Sequence, residues 1–545
     1  MKKYLIALSL VGLVTSSCYE KLNIAPPNAI TDEQVKELLA TADDETIEVI
    51  LGGVAGGLPT EILKNNSKGG ALEYRYGSYF GMLPMRSFEG NDVVFGQQAT
   101  ASGFGRDEYA LTDFRTANST RNYPYWEQGW VWVTDANKVL NVVDDKTVGN
   151  NATMKKYQAW AYLIRAYAYN WLVDNYQQAY MAGGKDKLGV PYYSYYNPAQ
   201  PYQARASLQN CYDSINKDLD KAIAGFTADG SNGFTEAKDD LDVGVAYFLK
   251  AKVALATGQW STAIHACDQI IAVYGAQFMS QEQYVAKNIP DATGKAQYYA
   301  VNSGFLSLAQ NPECILGWPL AQTKDKAYLV YFFNTYGCCS GGSGGNYARI
   351  DDRLYDKINE NDYRKQNFWV TGLPDTDYEY ANGTSTKILP YSNLKFACTV
   401  GTGGGTDPSQ AKATSFFTDV ILMRLSEVYL MKAEAEAQSG TGDAKATLNI
   451  LLAARTKEGA TPLTCDSYTE MKGLSALEMV QLQTRIEMWG ENGLEYYNNK
   501  RWNKPVDRNG SNVHWIKATT LTVPNMALQI PEESTNYNDL IVQDN

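Results

Sequence analysis

The sequence predicts a mainly α-helical fold in which helical hairpins form a scaffold and a large loop-rich insert with short strands interrupts it. Several segments carry apolar residues at spacings of three and four, the period of an α-helix. One helical segment is echoed 182 positions further along the chain. Helical spacing fades from Gln283 to Thr414, so a long irregular insert is expected between the two echoing segments.

The clearest helical pattern lies in residues Asp419–Gly440. Apolar residues recur there at helical spacing: Leu422, Leu425, Tyr429, Ala433 and Ala437. Arg424, Glu427 and Glu434 fall roughly opposite this stripe, as in an amphipathic helix. Gly440 and Gly442 are typical helix ends, and Asp443 is a suitable N-cap for a second helix over Ala444–Ala454. The pattern therefore predicts two antiparallel helices.

The echo of this hairpin lies near residue 250. Lys250, Ala251 and Gly258 have the same spacing as Lys432, Ala433 and Gly440. Small residues follow at positions where tetratricopeptide-type repeats place helix crossings: Ala251, Ala254, Ala263 and Cys267. The sequence therefore predicts repeats of this helix–turn–helix type.

Other elements follow from the same periodicity and from capping residues. Thr31 is a cap for a short polar helix, and Cys314–Trp318 is predicted to be a buried strand. The predicted helical segments are Asp32–Thr41, Trp126–Val143, Tyr157–Tyr176, Leu208–Ala222 and the hairpin Val243–Ile271.

The charge and aromatic content restrict the class of ligand. The chain has 39 Tyr beside 11 Trp and 16 Phe, and tyrosine suits both core packing and recognition of flat polar ligands. The formal net charge is −12, and it becomes −14 when Lys2 and Lys3 are removed with residues 1–17. This balance, without a basic run, disfavours nucleic-acid binding.

Residues 1–17 have the layout of a bacterial signal peptide. Two lysines precede the apolar run Tyr4–Val14, and Thr15-Ser16-Ser17 stand directly before Cys18. Small residues before a cysteine resemble a lipobox, with Thr15 where leucine is commoner. The run is shorter than the roughly 20 residues that a membrane-spanning helix needs. We therefore expect Cys18 to be the lipidated first residue of the mature protein.

The remaining cysteines do not form a metal motif. They are odd in number and include no two CxxC motifs: Cys211, Cys267, Cys314, Cys338, Cys339, Cys398 and Cys465. The adjacent pair Cys338-Cys339 allows either a vicinal disulfide or two separate thiols. No zinc site is expected.

Catalytic motifs are sparse. The chain has only His265 and His514, and His265 in a repeat helix is expected to be structural. Gly341–Gly345 matches G-x-S-x-G, and Gly401–Gly405 is glycine-rich, but neither has the strand-then-helix context that such motifs need. Glycoside hydrolysis stays open, because it needs only two suitably spaced carboxylates.

Residues 424–435, R-L-S-E-V-Y-L-M-K-A-E-A, resemble the signature R-x-A-E-x-x-L-x-x-A-E-A of the SusD/RagB family of surface lipoproteins of Bacteroidetes, with Ser426 in place of the usual alanine. Further resemblances run in family order from Cys18 to Asn545. They include Asn137 after the Trp126–Trp132 cluster, Leu188–Pro191, Asp352–Arg364, Leu477–Trp502 and Ile530–Glu533. In Leu477–Trp502 the glycine is displaced by one position, and Asn498-Asn499 stand where aspartate is usual.

The resemblance implies a single SusD-like domain over residues 18–545. Its helical scaffold would span about 125–275 and 415–505, and its ligand side would be formed by the loop-rich segments of about 52–122 and 283–414. The family captures glycans, or peptides in RagB-like members, and delivers them to a TonB-dependent, SusC-like outer-membrane transporter without cleaving them. We therefore expect a non-enzymatic, surface-exposed outer-membrane glycan-binding lipoprotein without cofactor or metal. Peptide capture and, less favoured, glycoside hydrolysis are the alternatives.

Aromatic platforms that stack on sugar rings, with polar side chains bonded to the hydroxyls, are the expected binding chemistry. Candidates come from the two loop-rich segments. They are Tyr74, Tyr76, Arg86, Asn91 and Asp92 in the early loop and Trp318, Tyr328, Tyr331 and Tyr336 in the insert.

Overall fold

The computed structural model describes residues 30–63, 79–96, 106–111, 115–288, 298–299, 304–305, 307–319, 348–371, 389–396, 419–517 and 520–544. Cys18, Cys338, Cys339 and Cys398 lie outside these ranges. Cys211, Cys267, Cys314 and Cys465 lie within them, and all four are buried and form no disulfide. The predicted lipidation and the vicinal pair therefore stay predictions.

Helices make up most of the described chain. In chain order they are α1 (Asp32–Leu39), α2 (Asp44–Ala55), α3 (Tyr79–Phe88), α4 (Arg106–Tyr109), α5 (Tyr123–Val142), α6 (Asp145–Val148), α7 (Ala152–Tyr176), α8 (Leu208–Phe226), α9 (Val243–Thr257), α10 (Trp260–Tyr274), α11 (Gln281–Tyr284), α12 (Asp352–Tyr355), α13 (Leu425–Ser439), α14 (Ala444–Ala454), α15 (Ala476–Glu487), α16 (Leu494–Arg501) and α17 (Glu532–Tyr537). Short 3₁₀ turns occupy Leu58–Leu63, Tyr180–Ala182, Tyr363–Asn367, Thr469–Met471 and Val523–Met526. The prediction of a mainly α-helical fold is confirmed.

The strands are short. They are β1 (Val93–Phe95), β2 (Leu188–Pro191), β3 (Arg205–Ser207), β4 (Lys287–Asn288), β5 (Tyr298–Tyr299), β6 (Cys314–Pro319), β7 (Ala348–Ile350), β8 (Phe368–Trp369), β9 (Ser392–Asn393), β10 (Asp419–Arg424), β11 (Val506–Asp507) and β12 (Thr520–Leu521). One antiparallel sheet has the order β1-β7-β9-β8, and the others are the pairs β6–β10, β2–β3, β4–β5 and β11–β12. The predicted buried strand at Cys314–Trp318 is confirmed as β6.

The helix boundaries follow local capping chemistry. Thr31 and Gln34 form a reciprocal capping box at the start of α1, and the side chain of Asp443 accepts the backbone N–H of Ala446 at the start of α14. Gly258 and Gly440 end α9 and α13 in the same left-handed conformation, with φ of 73° and 66°. A residue with a Cβ is strained there, so both turns favour glycine. The predicted correspondence of the two hairpins is confirmed in their backbones.

The long helices pack in a continuous stack. Helix α7 contacts α5 on one side and α8 on the other, and contacts then continue from α8 through α9 and α10 to α13, which also meets α14 and α15. The side chain of Lys432 pairs with Asp268 at 2.6 Å, and the hydroxyl of Tyr429 donates to the carbonyl of Gly275 at 3.0 Å. The insert therefore leaves the stack after α10 and returns directly beside it.

Two expectations for residues Asp419–Gly440 are wrong. The helix begins at Leu425, and Leu422 lies in β10, where Val420 pairs with Trp318 of β6. Local spacing did not reveal the strand because its hydrogen-bond partner lies about a hundred residues away. Arg424 at the end of β10 and Glu427 and Glu434 in α13 are not a solvent-facing stripe but are all buried. Helices cover α13 on several sides.

The buried charges of α13 are each paired. The carboxylate of Glu427 lies 3.1 Å from Lys252, Glu434 accepts from Arg501 at 2.8 Å and from the indole of Trp502 at 2.9 Å, and Glu436 accepts from Thr447 at 2.6 Å. Pairing makes burial of charge tolerable in a low-dielectric interior. None of the helices in the described ranges combines the length and the apolar character of a membrane-spanning segment.

Candidate ligand-binding site

Arg86, near the end of α3, is fully buried. Its guanidinium donates to both carboxylate oxygens of Glu89, at 2.9 and 3.0 Å, and to the side-chain oxygen of Asn175 at 2.6 Å. It also lies over the rings of Tyr125 and Tyr496, 4.6 and 5.0 Å from their centroids. These contacts join the early loop to the helical stack, and a ligand role for Arg86 stays a prediction.

Asn91 and Asp92 follow in the same loop and are held by the C-terminal part of the chain. The backbone N–H of Asn91 donates to the carboxylate of Glu495 at 2.9 Å, and its side-chain oxygen accepts from Asp507 at 2.7 Å. The carboxylate of Asp92 accepts from Arg485 at 2.9 Å. In the structure the polar groups of Arg86, Asn91 and Asp92 are thus each bonded to different protein partners.

Glu495 differs from an ordinary surface carboxylate. Its burial, and then the neighbouring charge of Asp92, raise its pKa from 4.5 to about 7, although Arg485 and the N–H of Asn91 oppose the change. A Cβ on Gly90 would lie only 1.5 Å from a carboxylate oxygen of Glu495, so any larger residue at that turn would displace this carboxylate. The loop is therefore fixed closely against α16.

The other described candidate, Trp318, lies in the two-stranded sheet of β6 and β10, whereas Asp92 lies just before β1 of the four-stranded sheet. It is buried in β6, and its indole N–H has no hydrogen-bond partner among the described residues. Tyr74, Tyr76, Tyr328, Tyr331 and Tyr336 lie outside the described residues, so their predicted ligand contacts stay predictions.

The ends of two predicted ligand-side segments meet in the four-stranded sheet. Phe95, just before residues 97–105, pairs with Ala348, just after residues 320–347. Arg349 donates to the carbonyl of Gly96 at 2.8 and 3.1 Å, and the indole of Trp515 donates to the carbonyl of Phe95 at 2.6 Å. The described chain therefore supplies a fixed frame from which these segments depart.

A second polar group, which we call the buried ion cluster, lies where the insert rejoins the stack. Four cationic side chains alternate with four carboxylates, all at most 6% exposed: Arg364, Lys395, Arg424 and Arg455 with Asp362, Glu313, Glu487 and Glu491. Glu487 accepts from Arg364 at 2.9 Å, from Arg424 at 2.6 Å and from Arg455 at 2.9 Å. The formal charges balance, so the cluster is neutral as a whole.

The pKa shifts in this cluster follow its pairing. Burial alone would raise the pKa of Glu487, but Arg455, Arg424 and Arg364 outweigh burial and hold that pKa well below its ordinary value. Burial lowers the pKa of Lys395 to about 8, against the opposing effect of Glu491. Glu313 and Glu487 have no exposed surface, so a glycan cannot reach these two carboxylates. The cluster therefore has a structural role: it joins the insert to the helical stack.

A third region, which is not among the candidates predicted from the sequence, is the loop that follows Pro191; we call residues 192–202 the tyrosine loop. Residues 192–202 contain five tyrosines, and Tyr195, Tyr196 and Tyr202 are exposed. The density of tyrosine directly after the Leu188–Pro191 motif was the available signal. No group of three or more His, Cys, Asp or Glu side chains in the described ranges is arranged to hold a metal ion.

Comparison with known proteins agrees with this architecture. The profile of a family described as "Starch-binding associating with outer membrane" matches residues 85–231, and that of a family described as "SusD family" matches residues 328–543. No curated protein matches the sequence.

Solved structures share the fold at low sequence identity. A SusD-like carbohydrate binding protein from Bacteroides vulgatus is 21% identical, with a TM-score of 0.67 over 92% of this chain and 97% of that one. A SusD superfamily protein from Bacteroides thetaiotaomicron is 18% identical, with a TM-score of 0.64 over 92% and 100%. Surface glycan-binding protein A from Bacteroides fluxus is 15% identical, with a TM-score of 0.60 over 90% and 96%.

Proposed function

Because this chain belongs to the SusD/RagB family, we propose that it is a surface glycan-binding lipoprotein that captures oligosaccharides for a TonB-dependent, SusC-like transporter. The observation that carries the proposal is that two family profiles match this chain, one after the other along its sequence. A SusD-like carbohydrate binding protein also shares its fold over about nine-tenths of the chain. Similar structures include a carbohydrate-binding and a surface glycan-binding protein.

The described frame suits a capture role. Arg349 and Trp515 hold the carbonyls of Gly96 and Phe95, just before residues 97–105. Arg508 donates to the carbonyls of Phe88 and Gly90, at 2.7 and 3.1 Å, earlier in the same part of the chain. Binding segments on a rigid support lose less conformational freedom when they meet a ligand. The glycan would be held on this side by the tyrosines predicted in residues 74–76 and 328–336.

The purified mature chain tests glycan capture directly. Binding heat is measured with maltohexaose, xylohexaose, mannohexaose, a fructan, an oligogalacturonate and a tryptic peptide mixture, and new reducing ends are assayed in the same samples. We expect heat with at least one glycan and no new reducing ends. Cleavage would establish a glycosidase, binding of peptides alone would establish a RagB-like role, and absence of any glycan heat would overturn the proposal.

The cellular part of the proposal has its own test. Cys18→Ala should abolish labelling with a fatty-acid analogue and release the chain from the outer-membrane fraction, whereas a buried control, Cys465→Ser, should leave both unchanged. Affinity purification from detergent-solubilised outer membranes should recover a TonB-dependent transporter with the wild-type chain. Recovery of the wild type without such a transporter would contradict the delivery step.

A further inference from the structure

A second candidate site lies on the helical scaffold, away from the loop-rich segments. We call it the tyrosine cleft: an opening of about 660 Å³ between α1, the end of α5, α7, α8 and the loop after β2. Its lining comes from residues 32–36, 140–145, 162–165, 192–195 and 214–221. None of these residues belongs to the segments 52–122 and 283–414 that the sequence assigns to the ligand side.

The floor of the cleft is made of paired charges. The guanidinium of Arg165 donates two hydrogen bonds of 2.7 Å to the carboxylate of Asp218, and both side chains are buried. Nearer the rim, Lys221 donates to Asp145 at 2.8 Å and to the hydroxyl of Tyr162 at 2.9 Å. Lys36 pairs with Asp144 at 2.7 Å. Each of these three cations has a carboxylate partner, and Lys217 is a further cation of the lining. The lining as a whole carries four cationic and five acidic side chains, so the cleft presents dipoles and lone pairs rather than an excess of positive charge.

The tyrosine loop is held on the floor by side chains of the stack. The backbone of Tyr193 exchanges two hydrogen bonds with the hydroxyl of Tyr169, at 2.7 and 3.0 Å. Arg165 donates to the carbonyl of Ser194 at 2.7 Å, and Asn141 donates to the carbonyl of Tyr196 at 2.7 Å. The residue between these anchors, Tyr195, lines the cleft with 49% of its surface exposed.

This combination favours one class of ligand. The exposed aromatic ring of Tyr195 gives a surface on which a sugar can stack. Because the backbone beneath it is already fixed, the loop loses little conformational entropy when a ligand binds. Hydroxyl groups of a sugar act as both donors and acceptors, which matches the lysine, tyrosine and aspartate groups along the rim. The volume lies within the range of about 300–1,000 Å³ typical of small-ligand sites. An acidic glycan would find no unpaired cationic cluster.

We propose that the tyrosine cleft binds a neutral oligosaccharide, as a second glycan site that stacks one sugar ring on Tyr195. This inference rests on the proposed glycan-binding function, because it assigns the same class of ligand to a separate part of the molecule. The ligand is held by Tyr195 and by the rim groups of Lys217, Lys221 and Asp145.

The test uses the mature chain and the neutral hexasaccharide of the panel that binds most tightly. Tyr195→Ala removes the stacking ring, and Ser194→Trp fills the cleft from an exposed position while it leaves the carbonyl that Arg165 holds. Tyr202→Ala is the matched control, because Tyr202 is on the same loop, is 59% exposed and does not line the cleft. Thermal unfolding checks that each variant is folded.

Hydrogen exchange of peptides covering residues 192–204 gives a local readout beside calorimetry. With the wild type and Tyr202→Ala, saturating hexasaccharide should slow exchange in these peptides. Tyr195→Ala should raise the hexasaccharide concentration that gives half of this slowing roughly tenfold, as expected for the loss of one aromatic contact. Ser194→Trp should abolish it, and oligogalacturonate should not produce it.

The outcomes separate the two proposals. If the wild type binds a hexasaccharide but exchange at residues 192–204 is unchanged, the cleft proposal is overturned and glycan capture by the loop-rich side stands. The same holds if Tyr195→Ala and Ser194→Trp behave as the wild type does. If no glycan binds the wild type, the proposed function fails and the cleft proposal fails with it.

Discussion

The buried ion cluster and the tyrosine cleft are built from the same kinds of charged pair, but they differ in access to water. In the cluster, Glu487 is shared by three arginines and has no exposed surface. In the cleft, Lys221 and Asp145 face an open volume and are partly or largely exposed. The comparison shows that charge pairing alone does not indicate a binding site. The buried ion cluster excludes water and joins segments of the fold, whereas the tyrosine cleft is open to water and has polar groups that a ligand can contact.

The largest expected effect on stability follows from removal of the shared carboxylate, Glu487, from the buried ion cluster. Glu487→Ala leaves Arg364, Arg424 and Arg455 without a common partner in a dry interior, and we expect the free energy of unfolding to fall by about 3–5 kcal/mol. Urea denaturation followed by circular dichroism measures it. Asp145→Ala, which removes a carboxylate from the cleft, is the matched control, and an equal loss there would break the comparison.

A buried carboxylate held mainly by amide groups should behave differently from Glu487. The folded chain keeps the proton of Glu495 up to a pKa of about 7, whereas the unfolded chain releases it near 4.5. The folded state therefore binds more protons between these values, so the free energy of unfolding from Glu495 falls as pH rises through this window. Glu495→Gln should remove about 1–3 kcal/mol of that fall between pH 4.5 and 7.

Denaturation curves at several pH values compare the wild type with Glu495→Gln. Gln277→Glu, at an exposed surface position, serves as a control for the effect of one added titratable group. If the two pH profiles of wild type and Glu495→Gln run parallel, the raised pKa of Glu495 is contradicted.

Ser426 tests the edge of the cluster at the position where the family motif usually has alanine. Its hydroxyl bonds to Glu313 and accepts from Arg455 at 2.8 Å. Ser426→Ala should reduce the free energy of unfolding by about 1–2 kcal/mol, because it removes hydrogen bonds to buried charged groups. Ser439→Ala, at the exposed end of α13, should change it by less. Equal values for the two variants would show that the cluster does not depend on Ser426.

The smallest expected effect lies in the cleft. Lys221→Ala should change the free energy of unfolding by about 0–1 kcal/mol, since its pair with Asp145 is partly exposed and screened by salt. Repeating the denaturation at high salt should reduce the difference from the wild type. A loss as large as that of Glu487→Ala would show that the cleft is part of the core instead of a surface site.

Local features of the sequence were enough to predict the helical elements and several of their ends. Helix α14 was predicted at Ala444–Ala454 from Asp443 and the apolar spacing, and the structure has these bounds. The hairpin turns at Gly258 and Gly440 were likewise readable, because the left-handed conformation favours glycine at a single position. The ordered set of motifs also identified the family.

Other features depend on residues far apart in the chain. The sequence by itself determined which segments are helical, because helix formation depends on spacing and caps within a few residues. Only the tertiary structure decided that Arg424 is 1% exposed and bonded to Glu313 and Glu487, that residues 419–424 form a strand against β6, and that Tyr195 stands over a cleft. Periodicity describes one helix at a time, whereas burial depends on how many neighbours pack around it.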